Sequence, residues 1–204
     1  MTLKSLAQRI GMVALLCLVG TAVLAQDTKT LDSGLTAVKL SSTFTSALQS
    51  LNVTPGTVSP TRIRYGKAWF PVTGGAIDLD TAAGNILHSG GLTLTTGGIT
   101  TTLQSFIIDT TGSAPVLTGL VSVNGKLIGR VPLFNLALPA GFSVPLKPQG
   151  RVLELKGVGV TLTSQAAGAL NSVYSVSAFA EGLDIGTADV FAVVAGRRGW
   201  SDAR

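Results

Sequence analysis

Runs of Thr, Ile, Leu and Val, each bounded by glycine or proline, fill the chain from Pro60 onwards and constrain its fold more than any other feature. Apolar and polar residues alternate within these runs, and a period of two is typical of a β-strand that buries one face. Glycine pairs at 74–75, 90–91 and 97–98 mark the expected breaks between strands. The pattern therefore predicts consecutive strands at residues 61–70, 76–79, 86–95 and 99–109.

The Asn124-Gly125 dipeptide is the clearest turn signal in the chain. Both residue types tolerate a positive φ, which a two-residue type I′ hairpin turn requires at both positions. We therefore expect residues 116–123 and 126–138 to form an antiparallel hairpin. Pro132 lies in the second strand and lacks a backbone N–H, so it predicts a sheet edge or a bulge there.

The remaining segments complete an all-β pattern with two short helices. Residues 152–155 and 157–162 are predicted as a further pair of strands, and 185–194 as the last strand. Helical spacing of apolar residues occurs at 42–51, which includes Phe44 and Leu48, and at 165–173, behind Thr163 or Ser164 as a cap. The predicted fold is an antiparallel two-sheet sandwich or an open barrel.

The N-terminus has the three parts of a secretory signal peptide. Lys4 and Arg9 precede an apolar run at 10–24, and Val23-Leu24-Ala25 ends in small residues suited to cleavage before Gln26. The run is shorter than the about 20 residues of a membrane span, which argues against the alternative of an uncleaved anchor. We predict a signal peptide at 1–25 and a protein exported to the periplasm, the cell surface or the medium.

The predicted mature chain has three parts: a flexible segment at 26–34, a single all-β domain at 35–195 and a basic tail at 196–204. No second apolar stretch is long enough to span a membrane, so no transmembrane segment is expected after cleavage. Clusters of basic residues interleaved with aromatic ones are absent, so nucleic acid is not an expected partner.

Composition excludes several kinds of chemistry. The one cysteine, Cys17, lies in the predicted signal peptide, and His88 is the one histidine. Disulfide frameworks, thiolate metal sites and sites with two imidazoles are therefore not expected, and no metal is predicted. Charged residues make up 12% of the chain, against about 25% in an average protein, which favours a sheet protein over a charge-rich helical bundle.

Two groupings could support catalysis, and both have a structural alternative. Asp78 and Asp80 share one face of a strand, where they could bind a cation or act as an acid and base, or simply flank an exposed turn. His88 and Ser89 could belong to a hydrolase, but no G-x-S-x-G elbow is present. Neighbouring residues on a strand also face opposite sides. We predict no catalytic residues and no enzyme activity.

His88 interrupts the apolar run that begins at Ile86 and stands just before a Ser-Gly-Gly turn. Such a histidine is either a hydrogen-bonded structural residue or part of a binding site. Three segments around it carry a family resemblance: VKLSSTFTSAL at 38–48, FPVTGG at 70–75 and GNILHSGGLTL at 84–94. Over roughly residues 35–195 the chain resembles the haem-transport-associated (HtaA-type) domain.

The resemblance implies an all-β domain that binds haem at its surface. It implies a tyrosine from the opening helix on the iron and a histidine that supports this tyrosine. His88 matches the family's histidine, whereas Leu48 stands where the tyrosine is expected. Without the phenolate, ferric haem loses its anionic ligand. No cofactor is therefore predicted, and haem is kept as the alternative.

The sequence as a whole predicts an exported, non-catalytic protein of the cell envelope that binds a small apolar ligand or another envelope component. His88 and the helical Phe44 are the candidate ligand-binding residues. One alternative is a structural or adhesive surface module without a small ligand. A second alternative is a hydrolase that uses His88.

Overall fold

The structure is a computed structural model that describes residues 27–196. The predicted signal peptide at 1–25 lies outside the described residues, as does the basic tail beyond Gly196. The described range contains eleven strands and two helices. Their bounds are β1 Thr28–Leu40, α1 Ser42–Ser50, β2 Thr54–Val58, β3 Arg62–Arg64, β4 Lys67–Asp78, β5 Gly84–His88, β6 Gly91–Thr96, β7 Ile99–Asp109, β8 Val116–Val123, β9 Lys126–Ala137, β10 Val152–Leu162, α2 Ser164–Tyr174 and β11 Asp184–Val194.

Eight of the strands form a closed antiparallel barrel. Their order is β7-β5-β4-β1-β11-β10-β9-β8, and β8 pairs again with β7 to close the ring. The all-β prediction is confirmed. The architecture is a closed barrel, in place of the two-sheet sandwich or open barrel that the sequence predicted. Closure removes the free sheet edges that an open barrel would expose.

Strand β7 closes the ring because it pairs with β5 on one edge and with β8 on the other, and it also has β6 as a second neighbour on the first edge. Its C-terminal part pairs with β5, and its N-terminal part pairs with β6. Its other edge pairs with β8. The predicted single strand at 86–95 is therefore wrong: the chain breaks at Ser89-Gly90, so that β5 and β6 occupy successive stretches of the same edge.

Three strands lie outside this ring. Strand β6 extends the sheet from β7, β2 pairs with β6, and the short β3 pairs with β4. The predicted strand at 61–70 is divided by a turn at Tyr65-Gly66, where both residues have positive φ. Strand β2 was not predicted from the sequence.

The glycine pair at 74–75 does not end a strand, as the sequence predicted. Strand β4 runs through it to Asp78, so the predicted strand at 76–79 is the end of β4. A Cβ atom on Gly75 would lie 2.2 Å from the carbonyl oxygen of Asn85. Glycine is needed there because β5 approaches the backbone closely.

The predicted flexible segment at 26–34 is ordered from Thr28 onwards. Residues 28–30 pair with the end of β4, and Leu31 pairs with Val194 of β11. Polar composition misled the prediction, because pairing with β4 and β11 supplies backbone hydrogen bonds and the single apolar side chain of the segment, Leu31, is buried in the core. Residues 152–162 likewise form one strand with an irregularity between Leu155 and Val158, not two.

Both helices and the hairpin agree with the sequence predictions. Ser41 caps α1 by accepting a hydrogen bond from the backbone N–H of Phe44, and Thr163 caps α2 in the same way. Asn124 and Gly125 have φ of 48° and 79°, and β8 pairs with β9 directly beside them. Pro132 stands next to a register shift in that hairpin, as expected for a bulge. Within residues 27–196, neither helix is long and apolar enough to cross a lipid bilayer.

Candidate functional site

The interior of the barrel contains a cavity of about 450 Å³. Every strand of the ring contributes an inward-facing side chain to its wall. These are Val38, Phe70, Ile86, Leu103, Leu117, Leu133, Val158 and Val190. The cavity is therefore enclosed mainly by aliphatic and aromatic groups, which is typical of sites for small apolar molecules.

The two ends of the barrel are covered by different parts of the chain. Helices α1 and α2 follow the ends of β1 and β10, and contribute Phe44 and Leu170 to the cavity wall. At the opposite end, the connection between β9 and β10 contributes Phe142 and Leu146. The backbone N–H of Leu146 donates to the carbonyl oxygen of Leu79 at 2.6 Å, which holds this connection against the end of β4.

His88 is the last residue of β5 and lies on the cavity wall with 5% of its surface exposed. Its Nε2 atom lies 2.8 Å from the hydroxyl of Thr36 on β1. Its Nδ1 atom is buried and makes no hydrogen bond of normal geometry among the described residues, although backbone carbonyl groups of Phe106 and Ile86 lie close to the ring and act to raise its pKa. Burial lowers the pKa of His88 from 6.5 to about 4, so the imidazole is neutral at pH 7.

The structure brings the two candidate ligand-binding residues to one cavity. Phe44 is buried on the inner face of α1, and its ring forms part of the wall to which His88 also belongs. The Ser41 cap fixes the start of α1, and therefore sets which face of the helix Phe44 occupies. Sequence reasoning identified these two residues without any means of showing that they share a cavity.

Two threonines of the cavity were missed by sequence reasoning. Thr36 is the hydrogen-bond partner of His88, and Thr101 on β7 is 1% exposed with an unpartnered hydroxyl. Thr36 lies two residues before Val38, and Thr101 lies two residues before Leu103, so each threonine faces the cavity with its apolar neighbour. This two-residue spacing from an apolar residue was the available signal. It did not identify the threonines as cavity residues, because threonine is common on either face of a sheet.

The charge of the cavity wall is small and of one sign. Glu154 is the one charged residue that lines the cavity in the described range, and it forms an ion pair with Lys156. Neither lysine nor arginine lines the cavity. A ligand inside the barrel therefore meets apolar groups and a few neutral polar atoms.

The carboxylate pair suggested by the sequence does not form. Asp78 is buried, and its Oδ1 atom accepts hydrogen bonds from the backbone N–H and the hydroxyl of Thr81, both at 2.8 Å. These bonds hold the pKa of Asp78 below its usual value. Asp80 is exposed in the turn that follows. The role of Asp78 is to fasten this turn.

The hydrolase arrangement does not form either within the described residues. The side-chain partner of His88 is Thr36, and neither a serine nor a carboxylate hydrogen-bonds to the imidazole. The backbone N–H of Ser89 donates to the carbonyl oxygen of Pro71. The described part of the chain also holds no group of three or more His, Cys, Asp or Glu side chains that could bind a metal.

Solved structures show what this fold is similar to. The C-terminal domain of HtaA from Corynebacterium glutamicum matches with a TM-score of 0.64 at 15% identity, over 82% of this chain and 99% of that domain. The N-terminal domain of HtaA from the same organism gives 0.62 at 13% identity, over 82% and 100%. The haem-binding protein HtaB from the same organism gives 0.57 at 9% identity, over 82% and 96%. The resemblance to HtaA-type domains is thus confirmed at the level of the fold.

Comparisons of sequence give no further match. No protein-family profile and no curated protein matches the chain. The structures that it resembles are two HtaA domains and a haem-binding protein.

The residues of the barrel interior do not fit ferric haem. Neither tyrosine lines the cavity: Tyr65 is fully exposed, and the Tyr174 hydroxyl donates to the carbonyl oxygen of Leu94 at 2.9 Å. Leu48 is buried in the core where the resemblance places the phenolate.

Proposed function

We propose that this protein is an exported, non-catalytic binding protein of the cell envelope whose barrel interior holds a small apolar ligand. The observation that carries the proposal is the cavity of about 450 Å³ with an almost wholly apolar wall. Ligand pockets commonly have volumes of about 300–1,000 Å³. Each ligand CH₂ group buried there contributes about 0.8 kcal/mol.

Individual residues have distinct roles in this proposal. Phe44 closes the helix-covered end of the cavity and contacts the apolar body of the ligand. His88, held by Thr36, supplies a neutral polar group on a mainly apolar wall. Within the described residues the imidazole has no carboxylate partner to orient it, and its threonine partner is buried on β1, which supports binding over catalysis.

Export rests on the signal peptide and is tested on the processed protein. We predict that material recovered from outside the cytoplasm begins at Gln26, because Val23-Leu24-Ala25 provides the small residues that signal peptidase requires. Intact-mass measurement of the secreted fraction checks this. Recovery of exported protein that still carries Met1 and the apolar run would contradict it.

Ligand binding is tested with N-phenyl-1-naphthylamine, a neutral dye whose fluorescence rises in apolar surroundings. We expect saturable binding of one dye molecule. Ala188 lines the cavity, so Ala188→Phe should weaken dye binding by roughly tenfold or more. The matched control is Ala178→Phe, because Ala178 is exposed and does not line the cavity.

A thermal melt of both variants shows that they are folded. Absence of saturable dye binding to the wild-type protein would contradict the proposal and favour a structural or adhesive module. Equal weakening by both substitutions would place the dye elsewhere on the molecule.

A further inference from the structure

The charge of the cavity wall restricts the ligand first. No lysine or arginine of the described residues lines it, and the one carboxylate, Glu154, is already paired with Lys156. An anionic ligand would have to leave water without gaining a counter-ion, and a cationic ligand would have to compete with Lys156. The wall therefore selects a molecule without net charge.

The hydrogen bond between Thr36 and His88 then sets the position of the imidazole proton. The Thr36 hydroxyl has its one side-chain partner in Nε2 of His88. If Nε2 carried the proton and donated it, the hydroxyl proton of Thr36 would be buried without an acceptor, which is unfavourable. The arrangement in which Thr36 donates to Nε2 satisfies both groups, and it leaves the single proton of the neutral ring on Nδ1.

The protonated Nδ1 is consequently a buried donor that makes no hydrogen bond of normal geometry in the described structure, although backbone carbonyl groups of Phe106 and Ile86 lie close to the ring. Buried donors in folded proteins are nearly always paired with protein, water or ligand. His88 lies on the wall of a cavity with room for a molecule much larger than water.

We propose that the ligand is an uncharged, mainly apolar molecule with one oxygen-containing group, of the ketone, ester or alcohol type, whose oxygen accepts a hydrogen bond from Nδ1 of His88. This inference rests on the proposed function and specifies its ligand class. His88 is the specificity-determining residue of the site, because it distinguishes an oxygenated molecule from a hydrocarbon of the same length.

The test compares three nine-carbon competitors of the bound dye at pH 8: nonane, 2-nonanone and nonanoate. We expect the ratio of free nonane to free 2-nonanone needed to displace the dye to be roughly three- to tenfold higher in the wild-type protein than in His88→Leu, the range of one net hydrogen bond. The ratio is compared because the ketone also loses hydrogen bonds to water when it enters the cavity. Nonanoate, ionised at this pH, should displace the dye least.

Two variants assign the preference to His88. His88→Leu replaces the imidazole by an apolar group of similar size and should lower this ratio by the same factor, while nonane still displaces the dye. The matched control is Thr61→Val, which removes a buried, unpartnered hydroxyl that does not line the cavity, and it should leave the ratio at its wild-type value.

The outcomes separate this inference from the proposed function. An equal ratio in the wild-type protein and in His88→Leu would show that Nδ1 is satisfied by water or by the backbone, and would overturn the inference alone. Strongest displacement by nonanoate would also overturn it. Failure of all three competitors, together with the absence of saturable dye binding, would overturn the proposed function and the inference with it. A readout on the wild-type protein does not depend on whether a variant folds: the Nδ1 signal of His88, the one histidine of the chain, should shift in NMR spectra with 2-nonanone and not with nonane, and equal shifts would also overturn the inference.

Discussion

The hydrogen bond between His88 and Thr36 places a titratable group inside an apolar cavity. An imidazole in such surroundings is stable in its neutral form, because protonation would create a buried charge without a counter-ion. At the scale of single residues, His88 is therefore both a candidate ligand contact and a source of pH sensitivity. Its two roles can be measured separately.

The stability of the protein should fall as the pH is lowered from about 6.5 towards 4. The folded-state pKa of His88 is about 4, below the ordinary value of 6.5, so the unfolded chain binds the proton more readily in this range. The contribution of neutral His88 is complete above pH 6.5 and is lost through this window, by up to roughly 3 kcal/mol. Chemical denaturation at a series of pH values measures the loss.

His88→Ala is the control for this pH dependence. The pKa values of Asp78 and Asp109 are held below 3.8 by their hydrogen bonds to threonine. The stability that these carboxylates contribute is therefore lost only at pH values below the range of His88. The variant should be less stable at pH 7 by about 1–3 kcal/mol, since Thr36 loses its partner, and should show a flatter profile between pH 6.5 and 4. An unchanged slope in the variant would contradict the assignment to His88.

Haemin should not form a defined complex with the wild-type protein. The cavity offers ferric iron no tyrosine, and Leu48 occupies the position of the expected phenolate. We expect absorbance titration to show only weak, non-saturating changes in the Soret band, with His88→Ala behaving like the wild type. A saturable one-to-one Soret shift that His88→Ala abolishes would contradict this prediction.

At the scale of single elements, local chemistry decided what the sequence could predict. Side-chain caps and the Asn-Gly turn act within a few residues, so both helices and the hairpin of β8 and β9 were predicted close to their observed bounds. Strict alternation along β7 would place Ser105 and Ile107 on the buried face with Thr101 and Leu103. Instead, Ser105 has a φ of 53° and the register with β8 shifts there, so that Phe106 and Ile108 are buried in place of Ser105 and Ile107.

The hairpin turn is tested by Gly125→Val. Gly125 has a φ of 79°, and no atom lies near the position of an added Cβ, so the substitution introduces backbone strain without a steric clash. We expect a loss of about 1 kcal/mol or more in the free energy of unfolding, measured by chemical denaturation. Gly112→Val is the matched control, because Gly112 has no positive φ and no close neighbour. Equal loss in both variants would contradict the role of the turn.

At the scale of the whole molecule, the closed barrel was beyond sequence reasoning. The pairing of β1 with β4 and β11 joins segments far apart in the chain, and no local pattern specifies these partners. The same limit applies to the site. His88 and Phe44 were identified individually, whereas their common cavity and the contact of His88 with Thr36 exist only after closure.

The central claim is that the interior of the barrel is the binding site, and methyl-resolved NMR with the neutral dye tests it most directly. Binding should shift the methyl signals of cavity-lining residues such as Leu103, Ile108 and Val190. The signals of Leu87 and Leu127, which are exposed and do not line the cavity, should stay in place. Shifts confined to Leu87 and Leu127, with the interior methyl groups unchanged, would contradict the claim.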